Sequence, residues 1–381
     1  MYGRGSRKCR DGGVFEPFVS VIVPAHNEER VIGRLLGKIC EFSYPKERFE
    51  VLVVDDGSTD STGEIVEAFA NKHGFIKPLH RRLACGKATA LNEALKRARG
   101  EFVYFFDADY VPDVNFIEVA NSGFSDSRVG VVQCYIGVLN LDKRVSKVVC
   151  LERVGGYRVD QLARDILGLV PQFGGTAGGV RRGLLDALGG FDEHVLAEDT
   201  DLTFRVYLAG YKVRYLLEVG SYEEAVEDWR GYWRQKSRWA KGHMQCAFKH
   251  FLPLLKSGNL SFREKLDGLL LLFIYFVPVL IGLGWILGGL CFLFGYGLGG
   301  GSAAFVLTLI YFISGNIAPL SEVIVGVILE KRLGFCKYTP LLFVAFVLNV
   351  FICCKAFVDV LFWMLRGKHR LQWDKTVHKG T

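Results

Sequence analysis

The chain has 381 residues, half of them hydrophobic, and a formal net charge of +7. This length leaves room for more than one domain, and the apolar share is unusual for a purely soluble protein. The ten cysteines include no C-x-x-C pair, which argues against a disulfide framework and predicts reduced cysteines in a protein that faces the cytoplasm.

The first two thirds of the chain alternate short apolar runs with segments typical of helices. Residues 1–16 are rich in Gly and Arg and are expected to be disordered, with no apolar segment that would indicate a signal peptide. Strands are predicted at residues 19–23, 51–54, 75–79 and 102–106. The first helix is predicted to begin at an Asn27 N-cap. Strands that alternate with helices indicate βαβ units, so residues 17–256 are expected to form an α/β domain with a Rossmann-like, mostly parallel sheet.

One apolar run that ends in two carboxylates is the feature around which the chain is organised. Residues 102–106 are apolar or aromatic, and Asp107 and Asp109 follow them. In open α/β sheets, ligands gather beyond the carboxyl ends of the strands. Carboxylates suit Mg²⁺ or Mn²⁺, which complete their shell with substrate phosphate and water. Strands also end in solvated polar loops, so the Asp-x-Asp pattern alone leaves that alternative open.

Three further stretches carry side chains suited to ligand binding. Residues 174–182 form a glycine-rich loop that ends in two arginines, or simply a turn before a helix. Glu198 and Asp199 lie at the start of a predicted helix, where the helix dipole also favours acidic residues. Residues 229–250 are predicted to form a long helix rich in aromatic and basic residues, which is also typical of an interfacial amphipathic helix.

Residues 257–381 are expected to form an α-helical membrane domain. Two transmembrane helices are predicted at about 269–297 and 303–329, because each apolar run exceeds the roughly 20 residues needed to cross a bilayer. A third apolar segment, 341–365, contains Lys355 and Asp359 and is predicted to fold back or lie along the cytoplasmic interface. Basic residues that flank these segments suit an anionic cytoplasmic leaflet better than nucleic acid.

Taken together, D-D-G-S-T-D, G-K-A-x-A-L-N, D-A-D, E-D and Q-x-x-R-W, in this order from Val19 to Gly242, resemble glycosyltransferase family 2. The similarity is to the branch that contains the cellulose, chitin and hyaluronan synthases. It implies a GT-A fold, a nucleotide-diphosphate sugar as donor and inversion at the anomeric carbon. It also implies a multi-pass protein of the cell membrane whose catalytic domain is cytoplasmic.

The resemblance implies roles for individual residues. The nucleotide-sugar site would be formed by Pro24, Ala25, His26, Glu28, Asp56, Lys87 and Asp107. Asp109 would bind the Mg²⁺ or Mn²⁺ ion on the diphosphate, and Asp199 would be the general base. The acceptor and diphosphate would be bound by Glu198, Gln235, Arg238 and Trp239. The implied partners are a nucleotide sugar (UDP-linked in the first place), a saccharide or lipid-linked acceptor and the lipid bilayer; a homo-oligomer is left open, and nucleic acid is not expected.

The sequence departs from the family pattern in three respects. His26 stands where the family usually has Tyr, Ala197 replaces the usual Thr before Glu-Asp, and the apolar segments are fewer than in relatives that secrete polymers. A polyprenyl-phosphate glycosyltransferase is the nearest alternative enzyme, although Q-x-x-R-W weighs against it. A transporter or receptor that only binds nucleotide is the alternative from another class, but the membrane segments contain few ionisable residues.

Overall fold

The computed structural model describes residues 16–294, 319–366, 378 and 380. The predicted disordered start, apart from residue 16, and most of the predicted helix at 303–329 lie outside these residues. Within the described residues, eight strands form one sheet in the order β3-β2-β1-β4-β7-β6-β8-β5. The strands are β1 (Val19–Ala25), β2 (Phe49–Asp56), β3 (Ile76–Arg81), β4 (Phe102–Phe105), β5 (Val111–Pro112), β6 (Val129–Val138), β7 (Gly178–Arg181) and β8 (Lys212–Glu223).

The four predicted strands form the wholly parallel half of this sheet. β1 pairs with β2 on one side and β4 on the other, and β2 pairs with β3, in each case parallel. Every residue of β2 and β4 is buried, as expected for strands covered on both faces. The other half is mixed, because β7 runs antiparallel to both β4 and β6 whereas β6 and β8 are parallel. The expected α/β architecture is confirmed. The sheet contains more antiparallel strand pairs than the alternation of strands and helices predicts.

Helices cover both faces of the sheet and continue beyond it. In the first part they are α1 (Ile32–Cys40), α2 (Thr62–Lys72), α3 (Lys87–Leu95), α4 (Phe116–Ser122), α5 (Arg144–Arg153), α6 (Leu162–Leu167), α7 (Arg182–Ala187) and α8 (Glu198–Leu208). Then follow α9 (Trp229–Lys256), α10 (Phe262–Phe273), α11 (Val277–Leu293), α12 (Pro319–Leu329) and α13 (Thr339–Leu365). A π-helical stretch, Val154–Gln161, joins α5 to α6.

The predicted N-cap at Asn27 is wrong. α1 begins at Ile32, and Asn27 lies before it with a left-handed backbone at φ 52°. The amide of Asn27 donates to Ser58 Oγ at 2.9 Å, and its side-chain oxygen accepts from the amide of Thr59 at 2.7 Å. Asn27 therefore ties the end of β1 to the loop after β2, and these tertiary hydrogen bonds replace the local cap.

Two helical stretches are long and apolar enough to cross a membrane: Phe262–Cys291 and Leu333–Leu365. The first covers residues 269–291 of the helix predicted at about 269–297, and the second contains the third apolar segment as one continuous helix. In α13, Lys355 Nζ lies 2.8 Å from Asp359 Oδ2, and Asp359 also accepts Lys241 Nζ of α9 at 2.8 Å. An ion pair therefore links α13 to α9, the long helix of the α/β domain.

Candidate functional site

Strand direction brings the predicted site residues to one edge of the sheet. β1, β2 and β4 are parallel neighbours, so their carboxyl ends meet there, with Asp56 at the end of β2 and His26 and Asp107 just after β1 and β4. β7 is antiparallel to β4, so the glycine loop before it begins at the same edge. A cavity of about 780 Å³ opens at this edge, and its wall contains every predicted site residue. These are Pro24, Ala25, His26, Glu28, Asp56, Lys87, Asp107, Asp109, Glu198, Asp199, Gln235, Arg238 and Trp239.

Asp109 is a buried carboxylate in an acidic environment. Burial, together with the neighbouring carboxylates, raises the pKa of Asp109 to about 6, although His378 opposes this rise. Its Oδ2 accepts the amide of Glu224 at 3.2 Å and lies 3.7 Å from His378 Nε2. His378 Nδ1 lies 3.1 Å from Glu28 Oε2. This C-terminal histidine therefore contacts two residues of the predicted donor site.

Lys87 joins the two sides of the cavity. Its Nζ lies 2.8 Å from Asp107 Oδ1 and 3.3 Å from Glu198 Oε1. Burial lowers the pKa of Lys87, but the surrounding carboxylates outweigh burial and the net shift is upward. Lys87 is thus a fixed positive charge between the Asp-x-Asp loop and the start of α8.

Asp199 lies at the start of α8 against the glycine loop. Burial raises the pKa of its carboxyl group, and Lys87 opposes that rise. Its Oδ1 accepts the amide of Thr200 at 2.6 Å. A Cβ atom on Gly175, where φ is +73°, would lie 3.1 Å from Asp199 Cβ. Glycine at 175 therefore allows the loop to approach Asp199 closely.

Asp56 orders the loop that leads into α3. Its carboxylate accepts the amides of Cys85 and Gly86, at 3.1 and 2.9 Å, and lies 2.9 Å from Arg81 Nη1. The backbone oxygen of Asp56 is 2.8 Å from His26 Nδ1. His26 and Asp56 therefore lie side by side at the ends of β1 and β2.

The side chains of the Q-x-x-R-W motif enter the cavity from α9. The Oε1 atom of Gln235 is buried and has no hydrogen-bond partner among the described residues. The Trp239 ring is covered by two cations, Arg153 at 5.1 Å and Lys236 at 4.9 Å from its centroid. An unsatisfied buried acceptor beside an indole ring is an arrangement that a polar ligand would complete.

Several residues of the cavity wall were not predicted as site residues, among them Glu223, Glu224, Arg153 and His378. Glu223 ends β8, accepts both Arg153 (2.6 Å) and the hydroxyl of Tyr110 (2.8 Å), and precedes Glu224. The sequence does indicate the acidic pair Glu223 and Glu224, because S-Y-E-E repeats the pattern of a strand that ends in carboxylates. No local pattern pairs Arg153 or His378 with residues so distant in the chain.

The donor atoms around Asp109 fit a divalent cation that is shared with a substrate. Asp107 and Asp109 supply carboxylate oxygens, which are hard ligands. No group of three or more His, Cys, Asp or Glu side chains within the described residues could enclose a metal ion. An ion here would need oxygen atoms from a diphosphate and water, as Mg²⁺ and Mn²⁺ sites commonly have.

Comparison with known proteins identifies the family of the N-terminal part of the chain. Residues 20–188 match the model of Glycosyl transferase family 2. The probable glycosyltransferase YdaM of Bacillus subtilis is 34% identical over 260 residues, which cover 67% of this chain and 62% of that protein. Beta-monoglucosyldiacylglycerol synthase of Nostoc sp. is 32% identical over 265 residues, which cover 69% of this chain and 56% of that protein.

A solved structure extends the likeness to the C-terminal helices. Mannosyltransferase PcManGT from Pyrobaculum calidifontis superposes with a TM-score of 0.58 at 24% identity, covering 91% of this chain and 88% of its own. This similarity concerns the fold and confirms the expected GT-A architecture. The chain spans between 56% and 62% of the length of the two curated relatives. Residues 20–188 of the chain form a glycosyl transferase family 2 domain.

Proposed function

We propose that this protein is a membrane-bound, metal-dependent, inverting glycosyltransferase. It takes a sugar from a nucleotide-diphosphate donor, in the first place a UDP-sugar, and transfers it to a saccharide or lipid-linked acceptor. The observation that carries the proposal is the convergence of Asp107, Asp109, Lys87 and Asp199 in one cavity. Family membership supports the reaction class, and the two apolar helical stretches support binding to a membrane.

In the proposed donor complex, the ends of the parallel strands hold the nucleotide. Pro24, Ala25 and His26 line the base pocket, and Asp56 positions both His26 and the loop before Lys87. Each oxygen of a carboxylate has two acceptor sites, so Asp56 can also contact the base. Glu28 and Lys87 hold the nucleotide, and Asp107 faces the ribose or donor sugar.

Asp109 would hold the divalent cation, together with the donor diphosphate. When bound, such an ion neutralises the charge that develops on the leaving diphosphate. The elevated pKa of Asp109 agrees with this role, because burial and acidic neighbours leave the carboxylate short of positive charge.

Asp199 acts as the general base in this proposal. It accepts the proton of the acceptor hydroxyl as the oxygen attacks the anomeric carbon, and the nucleoside diphosphate leaves from the opposite face. One base opposite one leaving group gives inversion. A carboxyl group whose pKa is raised by burial is a stronger base than a solvated one. Glu198, Gln235, Arg238 and Trp239 position the acceptor and the diphosphate.

Release of UDP by the purified full chain tests the proposal. The chain is incubated in detergent with each of a panel of nucleotide sugars, with Mn²⁺ or EDTA, and the released nucleotide and the mass of the product are measured. We expect Mn²⁺-dependent release with one donor class and addition of one hexose mass to an acceptor. Nucleotide binding without release or transfer would contradict the proposal and favour a binding module.

A further inference from the structure

The cavity continues from the donor site to the apolar helices. At its far end the wall is formed by apolar side chains from the α10–α11 junction, from α12 and from α13. These are Leu271, Ile274, Leu320, Val323, Phe343 and Phe346. Three apolar segments that are distant in the chain therefore build one wall of the cavity that also contains Asp199.

Several of these side chains also face outwards. Ile274 is 53% exposed, Phe343 is 51% exposed and Phe346 is 37% exposed. They belong to the two helical stretches that are long and apolar enough to span a membrane. If those helices lie in a bilayer, lipid hydrocarbon surrounds these residues, and the cavity has a lateral opening to the lipid.

Three polar side chains at this end, those of Glu152, Lys236 and Asn349, are engaged with one another directly or through the Tyr232 hydroxyl. Glu152 lies 2.6 Å from Lys236 Nζ and accepts the hydroxyl of Tyr232 at 2.7 Å. Asn349 of α13 donates to the same Tyr232 hydroxyl at 3.3 Å. A sugar chain needs free donors and acceptors to replace its hydration, whereas these groups already satisfy each other. The wall is therefore better suited to hydrocarbon than to a saccharide.

We propose that the acceptor is an uncharged membrane lipid with a free headgroup hydroxyl. Its hydrocarbon chains lie along the apolar wall, and its hydroxyl reaches Asp199. The inference rests on the proposed function and names its acceptor class. In the step, the lipid oxygen bonds to the anomeric carbon and the bond from that carbon to the diphosphate oxygen breaks. The hydroxyl proton goes to Asp199, and the electron pair leaves with the nucleoside diphosphate.

Charge favours an uncharged lipid over a lipid phosphate. Asp199 and Glu322 of α12 contribute carboxylates to the cavity, and a phosphate acceptor would be repelled by them. The nearby cations Lys236 and Arg153 each have a carboxylate partner, at 2.6 Å in both cases. A phosphate oxygen is already ionised and needs no base, whereas an alcohol does.

Acceptor competition tests this inference. The purified full chain is given its best donor with phosphatidylcholine vesicles that contain diacylglycerol, with matched vesicles that contain polyprenyl phosphate, or with soluble oligosaccharides. We expect the sugar to partition into the organic phase with diacylglycerol, at a rate at least about tenfold above that of the other acceptors. Transfer that favours polyprenyl phosphate or oligosaccharides would overturn the lipid inference but keep the glycosyltransferase. No transfer and no nucleotide release with any donor would overturn both.

A pair of variants on α13 tests the wall itself. Phe346→Ser removes an apolar side chain from the cavity, whereas Phe362→Ser makes the same change at a residue that is exposed outside it. We expect Phe346→Ser to raise the half-saturating diacylglycerol concentration roughly tenfold while that for the donor stays the same, and Phe362→Ser to change neither. Equal values for the two variants, with both proteins folded by circular dichroism, would show that the wall does not bind the acceptor.

Discussion

At the scale of single residues, Asp199 carries the chemistry of the proposed reaction. Asp199→Asn keeps the shape and the hydrogen bond from the amide of Thr200 but cannot accept a proton. We expect turnover to fall by roughly 100-fold or more, the usual scale for a positioned base, while the donor dissociation constant stays nearly unchanged. Steady-state kinetics and donor titration measure the two quantities. Wild-type turnover in this variant would remove Asp199 from the mechanism.

The same variant has a predicted pH signature. The base must be deprotonated, and burial raises the pKa of Asp199, so the wild-type rate should fall as pH decreases through that raised pKa. Asp199→Asn should lose this acidic limb and show a low rate that is insensitive to pH there. An acidic limb that persists unchanged in the variant would assign the titration to another group.

Asp109 carries the proposed metal dependence. Asp109→Asn retains an oxygen that can accept the amide of Glu224 but removes the negative charge. We expect donor affinity in Mn²⁺ to fall to the metal-free value of the wild type, because the diphosphate charge is then uncompensated. Asp186→Asn is the matched control, since Asp186 pairs with Arg182 outside the cavity. Undiminished donor affinity in Mn²⁺ would locate the metal elsewhere.

At the scale of structural elements, the glycine loop before β7 packs closely against Asp199. Gly175→Ala would place a methyl group 3.1 Å from Asp199 Cβ at a φ of +73°. We expect at least roughly tenfold lower turnover and about 1 kcal/mol of lost stability, because a side chain is strained at this φ. Gly183→Ala is the control, since its Cβ would meet nothing within 4 Å. Kinetics and thermal unfolding of both variants check this.

The elements that the sequence predicted correctly are those whose signal is local. Continuous apolar runs identify β1, β2 and β4, because strands covered on both faces need apolar side chains throughout. The start of α1 was wrong, since Asn27 bonds to the next loop rather than to its own helix. β7 (G-G-V-R) carries no strand signal of its own, and it forms a strand because β4 and β6 lie on either side of it.

At the scale of the whole molecule, the position of the C-terminus constrains the topology. His378 contacts Glu28 and Asp109, and the amide of Gly380 donates to Glu224 at 3.1 Å. His378 and Gly380 therefore lie beside the cavity, and if the helices between the α/β domain and these residues cross a bilayer, they must do so an even number of times. The prediction that segment 341–365 folds back or lies along the cytoplasmic interface came from the conflict between a third crossing and a basic tail, and it stays a prediction. The sequence could not predict that the tail reaches Glu28, because that contact joins opposite ends of the chain.

Cysteine labelling in intact cells tests this topology. A cysteine added after Thr381 is compared, using a membrane-impermeant maleimide, with Gly299→Cys, which lies between the two predicted transmembrane helices and is expected outside if the α/β domain is cytoplasmic. We expect labelling of the Gly299→Cys protein and protection of the C-terminal cysteine until the cells are permeabilised. Efficient labelling of the C-terminal cysteine in intact cells would mean an exterior tail and an odd number of crossings.

The anomeric configuration of the first product is the most direct test of the central claim, that this cavity performs inverting sugar transfer. The purified chain is given an α-linked UDP-sugar, Mn²⁺ and its acceptor, and the anomeric proton of the new linkage is followed by NMR from the earliest time points. A single base opposite the leaving group predicts a β-linkage from the start. An α-linked product, or β-product that Asp199→Asn forms at the wild-type rate, would contradict the account.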